Sequence, residues 1–211
     1  MKVVIIGITG RLGTRIASEL KALDIEILGL NRRPERVATR LQTPGIKTIA
    51  CDAADENLAQ NLIGADVLVL ATAPTRENPQ QFPFDAQNVI DACKAAGVKR
   101  IVALTNHMAL TSPDGRPMLE AKPPHPFFYD IEACFADEAE IFRNEKELSW
   151  LLIAPPIEVI PYGEQSKQVH VEKEKLQSMN DKISMDDFAW FVAQQVVAPK
   201  YDYQLIAVSG V

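Results

Sequence analysis

The apolar run Val3-Val4-Ile5-Ile6 leads straight into Gly7-Ile8-Thr9-Gly10-Arg11-Leu12-Gly13, and this junction constrains the fold more than any other stretch. A buried strand that breaks at glycine and restarts as a helix makes an anion site. The helix start offers unpaired backbone N–H groups and the positive end of its dipole to a phosphate. Gly7 suits the tight turn, Gly10 lets a pyrophosphate approach the backbone, and Gly13 lets helix and strand pack closely. Three glycines at this spacing are weak evidence alone. Their place behind a strand and ahead of an amphipathic helix separates a dinucleotide loop from an ordinary tight turn.

Downstream, Leu12, Ile16, Ala17, Leu20 and Leu23 recur at helical spacing, predicting a helix over Arg11–Leu23. Strands are expected at Ile25–Leu30, Ile46–Cys51, Val67–Leu70, Ile101–Leu104, Trp150–Ile153 and Gln204–Val208. Between them fall a short helix over Pro34–Leu41, one around Leu58–Ile63 that Asp52 or Asp55 would cap, and one ending at Gly97. Two more cover Asp130–Asn144 and Met185–Val197, the second opened by Ser184 three residues before Asp187. Continuous apolar strands alternating with helices predict an α/β fold: a Rossmann-like, doubly wound parallel sheet flanked by helices.

A chain of 211 residues buries roughly 70% of its unfolded surface, so 1–211 is expected to form a single domain whose C-terminal part, from about 155, completes the substrate pocket. The net charge of −6, with no long Lys/Arg run, argues against a nucleic-acid or anionic-membrane partner. Cys51, Cys93 and Cys134 form no CxxC pair and read as small core residues, with no metal site. The first strand begins at residue 2 and no apolar run reaches bilayer length, so a cytoplasmic monomer or homodimer is expected.

In doubly wound sheets a ligand sits beyond the carboxyl ends of the strands, near the point where strand order reverses. That rule selects Gly7, Thr9, Gly10, Arg11, Leu12 and Gly13, then Asn31, Arg32, Arg33 and Asp52, and then Ala71, Thr72, Ala73, Thr105 and Pro155, as cofactor-binding positions. An acidic residue after the second strand would bind the ribose 2′-OH of NAD. Here Asn31-Arg32-Arg33 stands instead, and guanidinium groups suit a 2′-phosphate, favouring NADP and NADPH over NADH. Asp52 would touch the adenosine end.

The chemistry is less legible. Reductases of alcohols and ketones commonly pair a Tyr acid with a Lys four residues on. Tyr129, Tyr162, Tyr201 and Tyr203 are followed at that spacing by Ala133, Ser166, Leu205 and Ala207. A carbonyl needs a proton as hydride arrives, whereas a flavin or quinone takes hydride into a delocalised ring and needs less help. Asn106 and His107, directly after the fifth strand, are the candidate catalytic residues, with an imidazole titrating near neutrality as the donor. His125 and Tyr129, on or beside a proline-rich loop from Thr111 to Phe128, and Pro156 would line the substrate pocket.

The chain resembles the atypical short-chain dehydrogenase/reductases with NAD(P)H-binding, NmrA-like domains, nearest the NADH-flavin reductases and the biliverdin reductase B (flavin reductase) subgroup. The resemblance runs nearly end to end. It is carried by Val4–Gly13, Asn31-Arg32-Arg33-Pro34, Ala96-Gly97-Val98-Lys99-Arg100-Ile101-Val102, Ser149-Trp150-Leu151-Leu152-Ile153-Ala154-Pro155-Pro156 and Ile183-Ser184-Met185-Asp186-Asp187-Phe188-Ala189. It implies a Rossmann fold with Pro155-Pro156 beside the nicotinamide and Thr105-Asn106 facing the reacting ring. The chain departs from that subgroup where Asn106 replaces a serine, where Ile157 and Glu158 replace a histidine, and at Ala136, where relatives carry a Lys. Two functions follow as expectations. One is an NAD(P)H-dependent oxidoreductase passing hydride to a flavin, quinone or similar conjugated acceptor, a small molecule. The other is a non-enzymatic NADP(H)-binding redox sensor.

Overall fold

Val3, Val4, Ile5 and Ile6 are all buried because the strand they form, β1 (Lys2–Ile6), has neighbours on both edges and helices on both faces. The computed structural model describes residues 1–33 and 45–211; the helix expected at Pro34–Leu41 lies outside the described residues. β1 pairs in parallel with β2 (Glu26–Asn31) and β4 (Val67–Leu70). Beyond β2 lies β3 (Lys47–Ala50). Beyond β4 come β5 (Arg100–Leu104), β6 (Ser149–Ala154) and β10 (Gln204–Gly210), all parallel. The order β3-β2-β1-β4-β5-β6-β10 is a Rossmann-like doubly wound sheet, as expected from the alternating pattern.

One feature departs from the uniformly parallel expectation. β8 (Val169–Lys173) closes the far edge antiparallel to β10, and β7 (Glu158–Ile160) pairs with β9 (Lys182–Ser184) in a separate two-stranded sheet. β7 and β8 are short and half-exposed and β9 is only three residues long, so their apolar signal is weak.

Alternate residues of each strand feed two cores. Val3, Ile5, Val69, Val102 and Ile153 face α1 (Arg11–Ala22) and α6 (Met185–Val197), where Ile16, Leu20, Phe188 and Val192 complete the layer. Val4, Ile6, Leu68, Ile101 and Leu152 face the opposite layer, built from α2 (Leu58–Leu62), α3 (Gln81–Ala96) and α5 (Tyr129–Asn144). α3 stops at Gly97, whose left-handed φ of +74° lets the chain turn away, as the sequence predicts. α6 is capped as predicted: Ser184 Oγ accepts from the Asp187 N–H at 2.9 Å. The Asp187 carboxylate accepts in turn from the Ser184 hydroxyl and the Lys167 N–H.

α2 is a correction. Neither Asp52 nor Asp55 caps it; each folds a turn ahead of it, with Asp52 Oδ1 accepting from Ala54 N–H and Asp55 Oδ1 from Asn57 N–H. No helix among the described residues is long and apolar enough to cross a membrane.

Candidate functional site

The carboxyl ends of the parallel strands meet along one edge of the sheet. Gly7 N–H donates to Leu30 O at 3.1 Å, Ala71 N–H to Ile6 O at 2.9 Å, and Thr105 N–H to Ile153 O at 2.9 Å. These bonds carry the ladder one residue past each strand and set Gly7, Ala71 and Thr105 in a row. The chain winds outward from β1 to β2 and β3 and returns through β4, so strand order reverses between β1 and β4, at Gly7 and Ala71.

At that reversal the backbone is closely packed. Gly7 has φ +83°, and a Cβ there would overlap the Ala71 carbonyl oxygen; a Cβ on Gly13 would overlap the Gly7 carbonyl oxygen. At Gly10 only Gly7 O, at 3.1 Å, stands close to such a Cβ, so the outer side of that residue is open. Gly10 N–H donates to Gly7 O at 2.9 Å, and α1 starts at Arg11 with no side-chain cap and no acidic residue in its first turn. The helix start therefore offers free N–H groups to an anion, with exposed Arg11 beside them. Ile8 is buried, while Thr9 and Leu12 are half-buried.

Along the edge from this cradle, Asn31 Nδ2 donates to Arg33 O at 2.7 Å and shapes the turn after β2. Arg32 and Arg33 are exposed, and Arg32 Nε stands 3.9 Å from Asp52 Oδ2. So long and open an ion pair holds Arg32 weakly and leaves its guanidinium available. On the other side, Ala71 and Thr72 are half-buried against the glycine turn and Ala73 is exposed.

Beyond them lie Thr105, Asn106 and His107. Asn106 Oδ1 accepts from the Met108 N–H at 3.1 Å, so this oxygen caps the 3-10 turn His107–Ala109. The His107 imidazole departs from expectation. Burial, with the Lys122 ammonium adding to it, pushes its pKa down to about 4, so it is neutral at pH 7 and does not titrate near neutrality.

The Thr111–Phe128 segment is docked onto the body of the protein. Thr111 N–H donates to Glu174 O, Leu176 N–H donates to Thr111 O, and Met118, which opens the one-turn helix α4 (Met118–Ala121), is fully buried. Its last turn, Pro126–Phe128, carries Phe127 and Phe128 beneath the Arg76 guanidinium at 5.6 and 5.2 Å. That contact binds the head of α5 to the loop after β4, helped by Cys134 Sγ donating to Pro79 O and by Phe82 against Phe135 at 5.2 Å. His125 Nδ1 accepts from Phe127 N–H and Tyr129 is exposed, both beside this wall. Pro155 is half-buried after β6; Pro156 is buried and lines a water-sized cavity with His170 and Leu176.

One group at this end escaped the sequence reading. Glu138, on α5, is 0% exposed, and neither carboxyl oxygen has a hydrogen-bond partner. The Thr105 hydroxyl, itself buried and without a bond of normal geometry, lies beside it. Burial pushes the Glu138 carboxyl up to about 8, and the Thr105 hydroxyl pulls it back only partly. A signal existed. Cys134, Phe135, Glu138, Ala139 and Phe142 form the buried stripe of α5, so the carboxyl occupies an apolar position in the helical pattern.

Strand-end cradle, open helix start and reversal point together define a Rossmann-type dinucleotide-binding protein. The chain belongs to the NAD(P)H-binding family, whose family model matches residues 7–199. It is 30% identical over 133 residues to a 4-hydroxy-2-methyl-3-oxo-4-farnesyl-3,4-dihydroquinoline-1-oxide ketoreductase of Stigmatella aurantiaca, covering 60% of this chain and 39% of that protein. Its fold is similar to that of the oxidoreductase ylbE from Lactococcus lactis (TM-score 0.79, 20% identity, 100% and 91% of the two chains). It is also similar to a Streptococcus pneumoniae protein provisionally named an NADH-flavin reductase (TM-score 0.82, 18% identity, 100% of both chains).

Proposed function

We propose that this protein is an NADPH-dependent reductase that delivers hydride to a flavin, a quinone or a similar conjugated small molecule. The observation that carries the reading is the glycine cradle at the strand reversal, open at Gly10 and flanked by the uncapped start of α1. Its donor set fits a dinucleotide pyrophosphate: backbone N–H groups, no carboxylate in the first helical turn, and Arg11 alongside. Arg32 and Arg33 fit a 2′-phosphate, which would draw Arg32 away from Asp52. When bound, the dinucleotide supplies the hydride.

The remaining residues position and exclude. Gly7, Thr9, Gly10, Leu12 and Gly13 seat the phosphates, and Ala71, Thr72 and Ala73 flank the central part of the dinucleotide. Asn31 shapes the turn that presents the arginines, and Asp52 lies at the adenosine end. Thr105 and Pro155 border the reacting ring. Neutral His107 acts as a hydrogen-bonding side chain, with the Asn106 amide nitrogen beside it. His125, Tyr129 and Pro156 bound the acceptor.

No Tyr stands four residues ahead of a Lys, which favours an acceptor whose reduced form spreads charge over a conjugated ring. The test is loss of NADPH absorbance with riboflavin, FMN and naphthoquinone. Oxidation above the buffer rate with at least one acceptor is expected. Tight NADPH binding without turnover would point to a redox sensor.

A further inference from the structure

We propose that Glu138 is the proton store of this site: a carboxylic acid beneath the carboxyl end of β5 that passes its proton through the Thr105 hydroxyl to the acceptor. The proposal rests on the reductase reading above.

The geometry is unusual in two linked ways. A fully buried carboxyl with neither oxygen in a hydrogen bond of normal geometry is costly to keep, because such groups lose their water and gain little in return. The neighbouring hydroxyl that acts on it, Thr105 Oγ1, is buried and without a bond of normal geometry too. Each supplies what the other lacks, a donor facing an acceptor. Thr105 is also the residue that follows β5, where the strand-end rule places the reacting part of a ligand. The 8% of Thr105 that remains exposed lies on atoms other than Oγ1. A single staggered χ1 step exchanges the hydroxyl with the other Cβ substituents. The same hydroxyl can therefore alternate between the Glu138 carboxyl and the strand-end edge where the ligand would lie.

Charges around Glu138 do not compete for its proton. α5 packs against α3, β6 and the turns His107–Ala109 and Pro126–Phe128. Their titratable groups nearest the core are buried Cys93 on α3, pushed up to about 12 by burial, and half-buried His107, pushed down to about 4; both are neutral at pH 7. Lys94 on α3 is held by Glu145 and Glu147, and the half-buried Asp85 carboxyl at the other end of α3 is raised, chiefly by burial. On α5 itself Cys134 is raised by burial and donates to Pro79 O. Glu138 is thus protonated near neutral pH by burial alone and sits where a donor is needed.

The balance closes. The acceptor takes a hydride from NADPH at a ring or carbonyl carbon or a ring nitrogen, and a proton at its oxygen or second nitrogen. That proton leaves Thr105 Oγ1 as the Glu138 proton replaces it. Glu138 is left as a carboxylate, and water returns the proton after the product departs.

The test uses the intact protein, NADPH and naphthoquinone, with steady-state kinetics across pH and infrared spectra of the protein alone. The wild-type kcat should fall as pH rises through about 8. Glu138→Gln should lower kcat near neutrality by about a hundredfold, leave KM within about twofold, and erase that limb. Glu138→Asp should restore part of the rate together with a limb. Thr105→Val should behave like Glu138→Gln, and Thr105→Ser like wild type. A protonated-carboxyl band present near neutral pH in wild type and missing in Glu138→Gln supports the store independently of turnover. Wild-type turnover with an unchanged alkaline limb in Glu138→Gln overturns the proton store alone. Absence of NADPH oxidation by the wild type with naphthoquinone, FMN and riboflavin overturns the reductase reading and the proposal with it.

Discussion

Replacing Glu138 by Gln should make the protein more stable, and increasingly so as pH rises. In the folded chain the carboxyl is moved from its ordinary value of 4.5 to about 8 by complete burial. Between those values the unfolded chain releases the proton while the folded chain keeps it, so the unfolded state binds fewer protons. Stability must then fall as pH rises, at about 1.4 kcal/mol per pH unit, and level off above the folded value. The full displacement corresponds to roughly 5 kcal/mol, a large part of the stability of an ordinary domain. Gln keeps the size and a polar end but cannot ionise. The two proteins should therefore differ by no more than about 1 kcal/mol near pH 5, where both folded side chains are neutral and the unfolded carboxyl has only begun to favour its ionised form. Urea unfolding of both at about pH 5, 7 and 9 reads the difference directly. Parallel stability curves would refute the reasoning, because they would mean that Glu138 carries the same charge folded and unfolded.

Gly13→Ala should abolish dinucleotide binding, since the added Cβ overlaps the Gly7 carbonyl oxygen and pushes α1 off β1; isothermal titration with NADPH checks it. Arg32→Ala should weaken NADPH by about tenfold and NADH little, as one charge-assisted phosphate contact is lost. Equal losses for both cofactors would remove the 2′-phosphate assignment. Ser184→Ala should cost about 1 kcal/mol in urea unfolding by removing the cap on the Asp187 N–H. Arg100→Ala should cost about 3 kcal/mol or more, because Arg100 is 7% exposed and binds Asp202, Ser149 and Tyr201 O, holding the other end of β5 to the turn before β10.

The sheet was legible because its central strands are apolar throughout. Val3–Ile6, Val67–Leu70 and Ile101–Leu104 have no polar face, which only burial on both sides allows. Gly7, Gly10 and Gly13 were legible because backbone crowding leaves no room for a side chain at two of them, and such constraints are written in residue identity. β8 escaped because an antiparallel edge strand is wet on one side, and Val169-His170-Val171-Glu172-Lys173 alternates too briefly to stand out. His107 misled because its titration depends on what covers it. Its imidazole is half-buried near Lys122, a residue from a docked loop whose path periodicity does not reveal.

The same distinction explains the apparent lack of an acid. A Tyr with a Lys four residues on brings a phenol down toward neutrality, and that device leaves a mark in sequence because both partners are local. Burying a carboxyl brings it up toward neutrality from the other side. That device leaves no spacing to find. It needs α5 against α3, β6 and the 3-10 turn His107–Ala109, contacts made only when the chain has folded. Tyr129 opens α5 with Ala133 where the Lys would stand, so the local device is absent. Glu138 lies farther along the same helix, on its buried side next to Thr105. Within the reductase reading, a proton source poised near neutral pH is therefore consistent with the missing pair. The helix that lacks the phenol carries a carboxyl whose neutrality is enforced by the core.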